Sequence, residues 1–238
     1  MLTTGHRVLI TGGSRGIGFA LATQFHAAGN HVVLVGRDEG TLLQAAKALP
    51  GAEVHRADVG LASERSEIVR RFSDIDILIN NAGIQLNGDF SEMPLEQVEA
   101  ELSINLLAPI LLTHEFLPYL KRRPTSAIVN VSSVLALVPK QSASVYCATK
   151  AAMHSFSRSL RWQLEATNVK VFEIVPPLVD TAMTAGRGKG KLSPAALAEE
   201  FWSGFKADRL EMHIGKAKAA ALLARVLPFV AERVVRRG

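Results

Sequence analysis

The sequence predicts an α/β chain whose strands form one parallel sheet with helices on both faces. Three observations carry that prediction. Short apolar, β-rich runs alternate with longer helical patterns along most of the 238 residues, as repeated βαβ units require. The strand runs are continuously apolar, as expected where helices cover both faces of a sheet. The residues suited to chemistry, Gly12, Arg37, Asp58, Asn81, Ser133 and Pro176, all follow the carboxyl ends of predicted strands. This order is that of a Rossmann-type doubly wound sheet, whose ligand crevice lies beyond those ends.

Residues 7–10 read as the first strand, and 16–28 as a helix ending near Gly29, a residue suited to a left-handed helix cap. Residues 31–35 form the second strand, and 39–49 a helix stopped by Pro50-Gly51. A short third strand spans 53–56, a helix 64–72 and the fourth strand 75–79. Residues 95–106 and 110–120 make a long helical region broken near Pro109. The fifth strand covers 127–131, a long helix 145–166 and the sixth strand 170–175. Residues 181–192 break the rhythm, because Gly186, Gly188 and Gly190 interleave with Arg187, Lys189 and Lys191. That composition suits a mobile loop over a site, or equally a basic surface loop. The span 181–215 is read as a substrate loop or lid region, and 216–238 as a C-terminal tail. The tail mixes apolar and basic residues around Pro228. A core helix or a subunit contact ranks ahead of a basic amphipathic segment on a membrane surface.

A chain of this length suits one α/β domain over 1–238 with a large core. Hydrophobic residues make up 48 %, which argues against disorder. The single cysteine, Cys147, cannot form an intrachain disulfide and fits a reducing cytosol. The run Met1-Leu2-Thr3-Thr4-Gly5-His6-Arg7 lacks a signal-peptide layout. No apolar run reaches the ~18 residues of a spanning helix. A cytoplasmic location follows as the expectation. The net charge of +5 gathers at 121–123 and 233–237 and reads as solvated surface. Nucleic-acid recognition would want reading or stacking groups beside a basic stripe, and the sequence offers none. The histidines show no metal-ligand spacing, so no metal is expected.

Gly12, Gly16 and Gly18 follow a strand and open a helix. Glycine permits the tight turn and lets the backbone approach a pyrophosphate. The helix N-terminus adds unpaired N–H groups and partial positive charge. Cofactor choice is read at Gly36-Arg37-Asp38 after the second strand. An acid there would accept hydrogen bonds from ribose hydroxyls, but Gly36 holds the first position. Arg37 follows, and Arg15 lies in the glycine loop with Ser14. Two cations near one ribose favour a 2′-phosphate, hence NADP(H) over NAD(H). Asp38, if turned inward, would weaken that preference.

Tyr146 and Lys150 are four residues apart and share a helix face. A tyrosine exchanges protons poorly near neutrality, and a nearby cation favours its phenolate. The spacing therefore predicts an acid/base residue tuned by a lysine. Cys147, a quarter-turn away, reads as a small buried side chain.

These features together resemble the short-chain dehydrogenase/reductase family in its single-domain branch. The resemblance rests on Thr11 to Gly18, Asp58-Val59, Asn80-Asn81-Ala82-Gly83, Asn105, Ser133, Tyr146 with Lys150, and Pro176 to Thr181, all in family order. Ser133 precedes Tyr146 by thirteen residues, the spacing the family uses. The resemblance implies a dinucleotide held by Gly12, Ser14, Arg15, Gly16, Ile17, Gly18 and Arg37. Asp58 would meet the adenine amino group, with the Val59 backbone beside it. Asn81, Ala82 and Gly83 would line the adenosine side. Pro176, Val179 and Thr181 would meet the nicotinamide end. Ser133 would hold the substrate oxygen, Lys150 would also bind the nicotinamide ribose, and Asn105 would hold a water linking Lys150 to solvent. Where the family usually has Pro-Gly, this chain has Pro176-Pro177, which stiffens the turn. The wording around Asn80–Gln85 and Val175–Thr181, the lysine-rich loop and Phe201-Trp202 are similar to a bacterial sub-branch labelled DltE-like.

Gln85, Val134 to Gln141 and the loop after Thr181 would form the substrate pocket. Leu135, Ala136, Leu137, Val138, Leu178 and Met183 make it apolar, which suits an apolar or amphipathic carbonyl or alcohol. The leading expectation is an NADP(H)-dependent carbonyl reductase or alcohol dehydrogenase. The alternative is an NADP(H)-binding sensor or scaffold of the same fold without turnover. Family practice also implies a homodimer or homotetramer packed through the long helices, 145–166 among them.

Overall fold

The computed structural model describes residues 3–236. Its sheet has seven strands in the order β3-β2-β1-β4-β5-β6-β7, all parallel. They are β1 (Arg7–Thr11), β2 (His31–Gly36), β3 (Glu53–Arg56), β4 (Ile77–Asn80), β5 (Ser126–Val131), β6 (Val169–Val175) and β7 (Glu211–His213). The helices are α1 (Gly16–Ala27), α2 (Glu39–Ala48), α3 (Ala62–Arg71), α4 (Leu95–Leu102), α5 (Ala108–Leu120), α6 (Ser144–Gln163), α7 (Pro194–Lys206), α8 (Ala217–Val226) and α9 (Pro228–Val235). This is the Rossmann-type doubly wound fold.

The strands are apolar throughout because each feeds two cores. Val8, Ile10, Val32, Leu34, Ile77 and Ile79 face one layer, with Phe25 of α1 and Phe201 and Phe205 of α7. Leu9, Val33, Val35, Leu78 and Ile128 face the other, with Ile68 of α3, Phe116 of α5 and Leu160 of α6. The period-two alternation of side chains thus sends neighbouring residues to opposite sides. The order reverses between β1 and β4, which opens a crevice at their carboxyl ends. Buried amides fix α6 above that crevice. Asn80 Nδ2 donates to Asn130 Oδ1 at 2.9 Å, and Asn130 Nδ2 to Ser157 Oγ at 2.9 Å.

Two expectations meet a different structure. The helical region over 95–120 is continuous, and its irregularity is a π turn at Ser103–Leu107 just before Pro109. Pro109 lies in the first turn of α5, where a missing N–H is tolerated. The span 181–215, read as a lid region, is a loop only in its first part. Residues 194–206 form α7, capped by Ser193, whose hydroxyl accepts from Ala196 N at 3.1 Å. Phe25 meets Trp202 edge-on at 5.0 Å, and Phe172 meets Phe205 at 4.8 Å, so α7 belongs to the core. Residues 211–213 add the edge strand β7.

The tail forms α8 and α9, bent at Leu227-Pro228. Ala217 and Ala231 are buried, whereas Leu222, Val226, Leu227 and Phe229 are exposed. The backbone N–H of Gln141 donates to Arg236 O at 3.2 Å, which ties the tail to the segment before α6. Arg237 of the predicted basic cluster, and Met1-Leu2 of the predicted N-terminal layout, lie outside the described residues. Among the described residues no helix is long and apolar enough to cross a membrane.

Candidate active site

The glycine loop turns directly against the segment after β4. Gly12 and Gly16 adopt φ of +64° and +57°, the left-handed region that side chains disfavour. Gly18 is needed for space: a Cβ there would lie 2.2 Å from Gly12 O and 2.5 Å from Asn81 Nδ2. The side chain of Arg15, the N-cap of α1, makes no capping hydrogen bond, and the first turn holds no acid. The leading N–H groups of α1 thus face the crevice without an anionic side chain beside them. A cradle with no room for side chains at a helix N-terminus fits a dinucleotide pyrophosphate. Ile17 packs against the core and secures the first turn.

At the end of β2, Arg15 and Arg37 are exposed and Ser14 is half-buried. Thr41 Oγ1 donates to Ser14 Oγ at 3.2 Å. Asp38 caps α2, its Oδ1 accepting from Thr41 N at 2.7 Å. Those bonds from Thr41, with Arg15 nearby, hold the Asp38 carboxyl below its ordinary range. Its carboxylate is therefore committed to the helix cap. Arg37 Nη1 stands 3.8 Å from Asp58 Oδ2, while Asp58 Oδ1 accepts from Gly60 N at 2.8 Å. Val59 is buried, and its carbonyl accepts from Arg65 Nη1 at 2.7 Å.

Asn81 Nδ2 donates to the carbonyls of Thr11 at 2.9 Å and Gly12 at 3.1 Å. Thr11 Oγ1 in turn accepts from Asn81 N at 3.0 Å and Ala82 N at 3.1 Å. Thr11, which opens the glycine motif in the sequence, locks the two crevice walls together. The first strand runs one residue further than expected, to Thr11.

Ser133, Tyr146 and Lys150 come together at the crevice. Ser133 ends the β5 segment and caps a 3₁₀ turn, accepting from Leu135 N at 3.1 Å. Ser133 also acts on the Tyr146 phenol, favouring its phenolate. Lys150 Nζ lies 5.6 Å from the Tyr146 ring centroid and donates to Val131 O at 2.8 Å. Burial pushes the Tyr146 phenol up to about 12, against the opposing influence of Ser133. The phenol thus moves opposite to the lowering expected from Lys150, because desolvation is the largest influence on it. Burial also brings Lys150 down to about 8, with Glu173 pulling the other way.

Asn105 lies in the π turn and is buried. Its Oδ1 accepts from Ile84 N at 2.8 Å, and its Nδ2 donates to Ile84 O at 2.8 Å and Thr149 Oγ1 at 3.4 Å. The side chain clasps the loop after β4. A Cβ on Gly83 would lie 3.2 Å from Asn105 Oδ1 and 3.8 Å from Lys150 Nζ, so the glycine keeps the space between them clear.

Pro176 is buried, and its carbonyl accepts from Val134 N at 2.9 Å, beside Ser133. Val179 is buried and bridges Leu192, which closes the base of the 180–191 loop. Thr181 opens a 3₁₀ turn with a capping box to Thr184. Its methyl group would lie 3.1 Å from a Cβ on Gly16, so it reaches the glycine loop from the opposite side.

Charged side chains that the sequence reading left unassigned also gather here. Buried Glu101 of α4 accepts from Leu86 N at 2.8 Å, and Arg187 Nη2 donates to Gln85 O at 3.3 Å. Glu101 disfavours and Arg187 favours the Tyr146 phenolate. Behind α6, His154 Nδ1 contacts both carboxylate oxygens of buried Glu173 at 3.0 Å. One ligand atom each from His154, Glu173 and Glu211 lies within 4.8 Å of the others, a grouping that could hold a metal ion. Spacing along the chain cannot reveal such a group, since it joins α6, β6 and β7. Cys147 is buried, its thiol is pushed up by burial, and its sulfur accepts from Lys140 N at 3.3 Å.

A doubly wound sheet with a phosphate cradle and a Ser–Tyr–Lys cluster defines a nucleotide-dependent oxidoreductase. The family model described as short chain dehydrogenase matches residues 6–191, and the chain belongs to this family. It is 40 % identical over 218 residues to an uncharacterized oxidoreductase, DltE, of Bacillus subtilis, covering 89 % of this chain and 86 % of that one. A short-chain dehydrogenase from Sphingobium yanoikuyae, solved with NADPH, has a TM-score of 0.83 and 29 % identity over 96 % of each chain. One from Burkholderia phymatum, solved with NAD, has a TM-score of 0.86 and 23 % identity, covering 100 % of this chain and 98 % of that one.

Proposed function

We propose that this protein is an NADP(H)-dependent carbonyl reductase, reversible as an alcohol dehydrogenase, acting on an apolar or amphipathic substrate. The observation that carries the reading is the convergence of Ser133, Tyr146 and Lys150 at the mouth of the glycine-lined crevice, with the Lys150 ammonium 5.6 Å from the Tyr146 ring centroid. The bound dinucleotide supplies the hydride. Ser133 orients the substrate oxygen and stabilises the charge that grows on it. Tyr146, protonated at neutral pH, donates its proton to that oxygen. Lys150 binds the nicotinamide ribose and, with water near Asn105, returns a proton to Tyr146. Support for NADP(H) over NAD(H) comes from Arg15 and Arg37 exposed beside Ser14, with Asp38 spent as a helix cap. A homodimer or homotetramer in the cytoplasm accompanies this reading.

The test is oxidation of NADPH and NADH by the purified protein against aldehydes, ketones and quinones, with Tyr146→Phe alongside. Turnover should favour NADPH and fall at least ~100-fold in the variant, the lower end for loss of a general acid. NADPH affinity should hold. Turnover surviving in Tyr146→Phe would sink the acid/base assignment.

A further inference from the structure

Arg187 sits between Gly186 and Gly188, both with positive φ, in the loop that β6 sends over the crevice. That loop is anchored at its base. Leu192 N donates to Leu178 O at 3.0 Å, Arg187 N to Thr184 O at 3.0 Å, and Lys191 Nζ to Thr184 O at 2.6 Å. Lys191 is also paired with Asp180 at 3.3 Å, so its charge is engaged. The Arg187 guanidinium turns inward instead. Its Nη2 reaches the Gln85 carbonyl, and its Nη1 is buried with no acceptor among the described residues.

An unmet buried donor on a cation is costly, because it loses water and gains nothing in return. Glu101 is the buried acid on the other side of the 84–87 segment. Its Oε2 likewise lacks a hydrogen-bond partner, and no ion pair joins it to Arg187 among the described residues. Burial pushes the Glu101 carboxyl up, toward its neutral form. The Arg187 charge is thus left for an anion from outside the chain. It also lies within electrostatic reach of the Tyr146 hydroxyl.

We infer that Arg187, held against the Gln85 carbonyl, forms an anion subsite, and that the substrate is an amphipathic carbonyl compound bearing a carboxylate. The inference rests on the reductase reading above for the word substrate, while the subsite itself does not. Leu178 and Met183 are exposed on the same loop and would meet the apolar part of such a substrate. Guanidinium suits a carboxylate because its planar donors match the two oxygens.

The experiment uses oxoalkanoates of increasing separation between keto and carboxylate groups, each with its methyl ester, on wild type, Arg187→Met and Arg187→Lys. Two readouts are taken: NADPH oxidation, and equilibrium binding of the acids to the protein–NADP⁺ complex by calorimetry. Wild type should prefer at least one acid over its ester by about 10- to 100-fold in kcat/KM, the range of one charge-assisted hydrogen bond. Arg187→Met should bring that ratio to about one, chiefly through KM, and Arg187→Lys should restore part of it. If nothing is turned over but an acid binds saturably to wild type and not to Arg187→Met, the subsite stands and the reductase reading fails. Turnover with equal use of acid and ester, or acid binding undiminished in Arg187→Met, overturns the subsite and leaves the reductase reading intact. Absence of both turnover and acid binding overturns the subsite as well.

Discussion

Gly18→Ala probes whether the glycine loop is shaped by contact with the segment after β4. The new Cβ would lie 2.2 Å from Gly12 O, 2.5 Å from Asn81 Nδ2 and 2.9 Å from Gly12 C. Relaxed carbon–oxygen contacts begin near ~3.3 Å, so helix and loop must part by about 1 Å. None of these atoms is the end of a flexible chain, since two are backbone and the third is held to Thr11 O and Gly12 O. Forcing an extra methyl group into such packing costs about 1–3 kcal/mol. Losing the Asn81–Gly12 hydrogen bond adds roughly 1 kcal/mol. The sum, about 2–4 kcal/mol, corresponds to a fall in Tm of roughly 5–15 °C for a chain of this size. Displacing phosphate donors by about 1 Å should also weaken NADPH binding at least ~10-fold.

Differential scanning calorimetry and NADPH fluorescence titration read the two effects separately. Gly40→Ala is the control. Its Cβ would meet only Asp38 Oδ1, at 3.5 Å, within the first turn of α2. That substitution should stabilise the protein by up to about 1 kcal/mol, through helix propensity and a less flexible unfolded chain. A Gly18→Ala protein with wild-type Tm would refute the packing argument. A lowered Tm with unchanged NADPH affinity would refute the link from packing to phosphate binding.

Two further predictions concern Lys150. Its folded-state value, about 8, lies below the ordinary 10.5, so the unfolded chain binds more protons between those values and stability rises with pH there. Lys150→Met should therefore stabilise the protein by roughly 2–3 kcal/mol at neutral pH, after the loss of the Val131 hydrogen bond, and the gain should shrink from pH 8 upward. A denaturant series across that range showing no gain at neutral pH would contradict the burial cost. Glu173 favours the Lys150 ammonium, so Glu173→Gln should move the alkaline fall of carbonyl reduction to lower pH, and an upward or absent movement would contradict that coupling.

Much of the fold was legible because both faces of the sheet are covered. Strands such as 32–35 and 77–79 must then be apolar at every position, and short apolar runs bounded by turns are easy to see. The helix α7 had its own signals, Ser193-Pro194 at the start and apolar residues at 197, 201 and 205. They were overshadowed by the glycine- and lysine-rich loop just before them. The three-residue β7 is too short for any period to show, and exists because β6 offers an open edge. The π turn left no compositional trace, since Pro109 drew the expected break to itself.

The site divides along a different line. Gly12, Gly18 and Asn81 could be read because backbone packing demands particular residues at fixed places. Arg187 and Glu101 could not, because their importance lies in one buried atom each left without a hydrogen-bond partner, which depends on segments distant in sequence. The electrostatics of Tyr146 and Lys150 fall in the same class. Four-residue spacing correctly brings the ammonium near the ring, but spacing says nothing about solvent. Burial favours the neutral phenol by roughly 3 kcal/mol and the neutral amine by a similar amount. These shifts leave the pair asymmetric at neutral pH, with the phenol far below its transition and the ammonium just below its own. Tyr146 then begins as a proton donor, and the group that titrates first on raising the pH is Lys150. Activation of the phenolate for the reverse, alcohol-oxidising direction therefore has to overcome that burial, and Arg187 is a cation whose charge favours that phenolate.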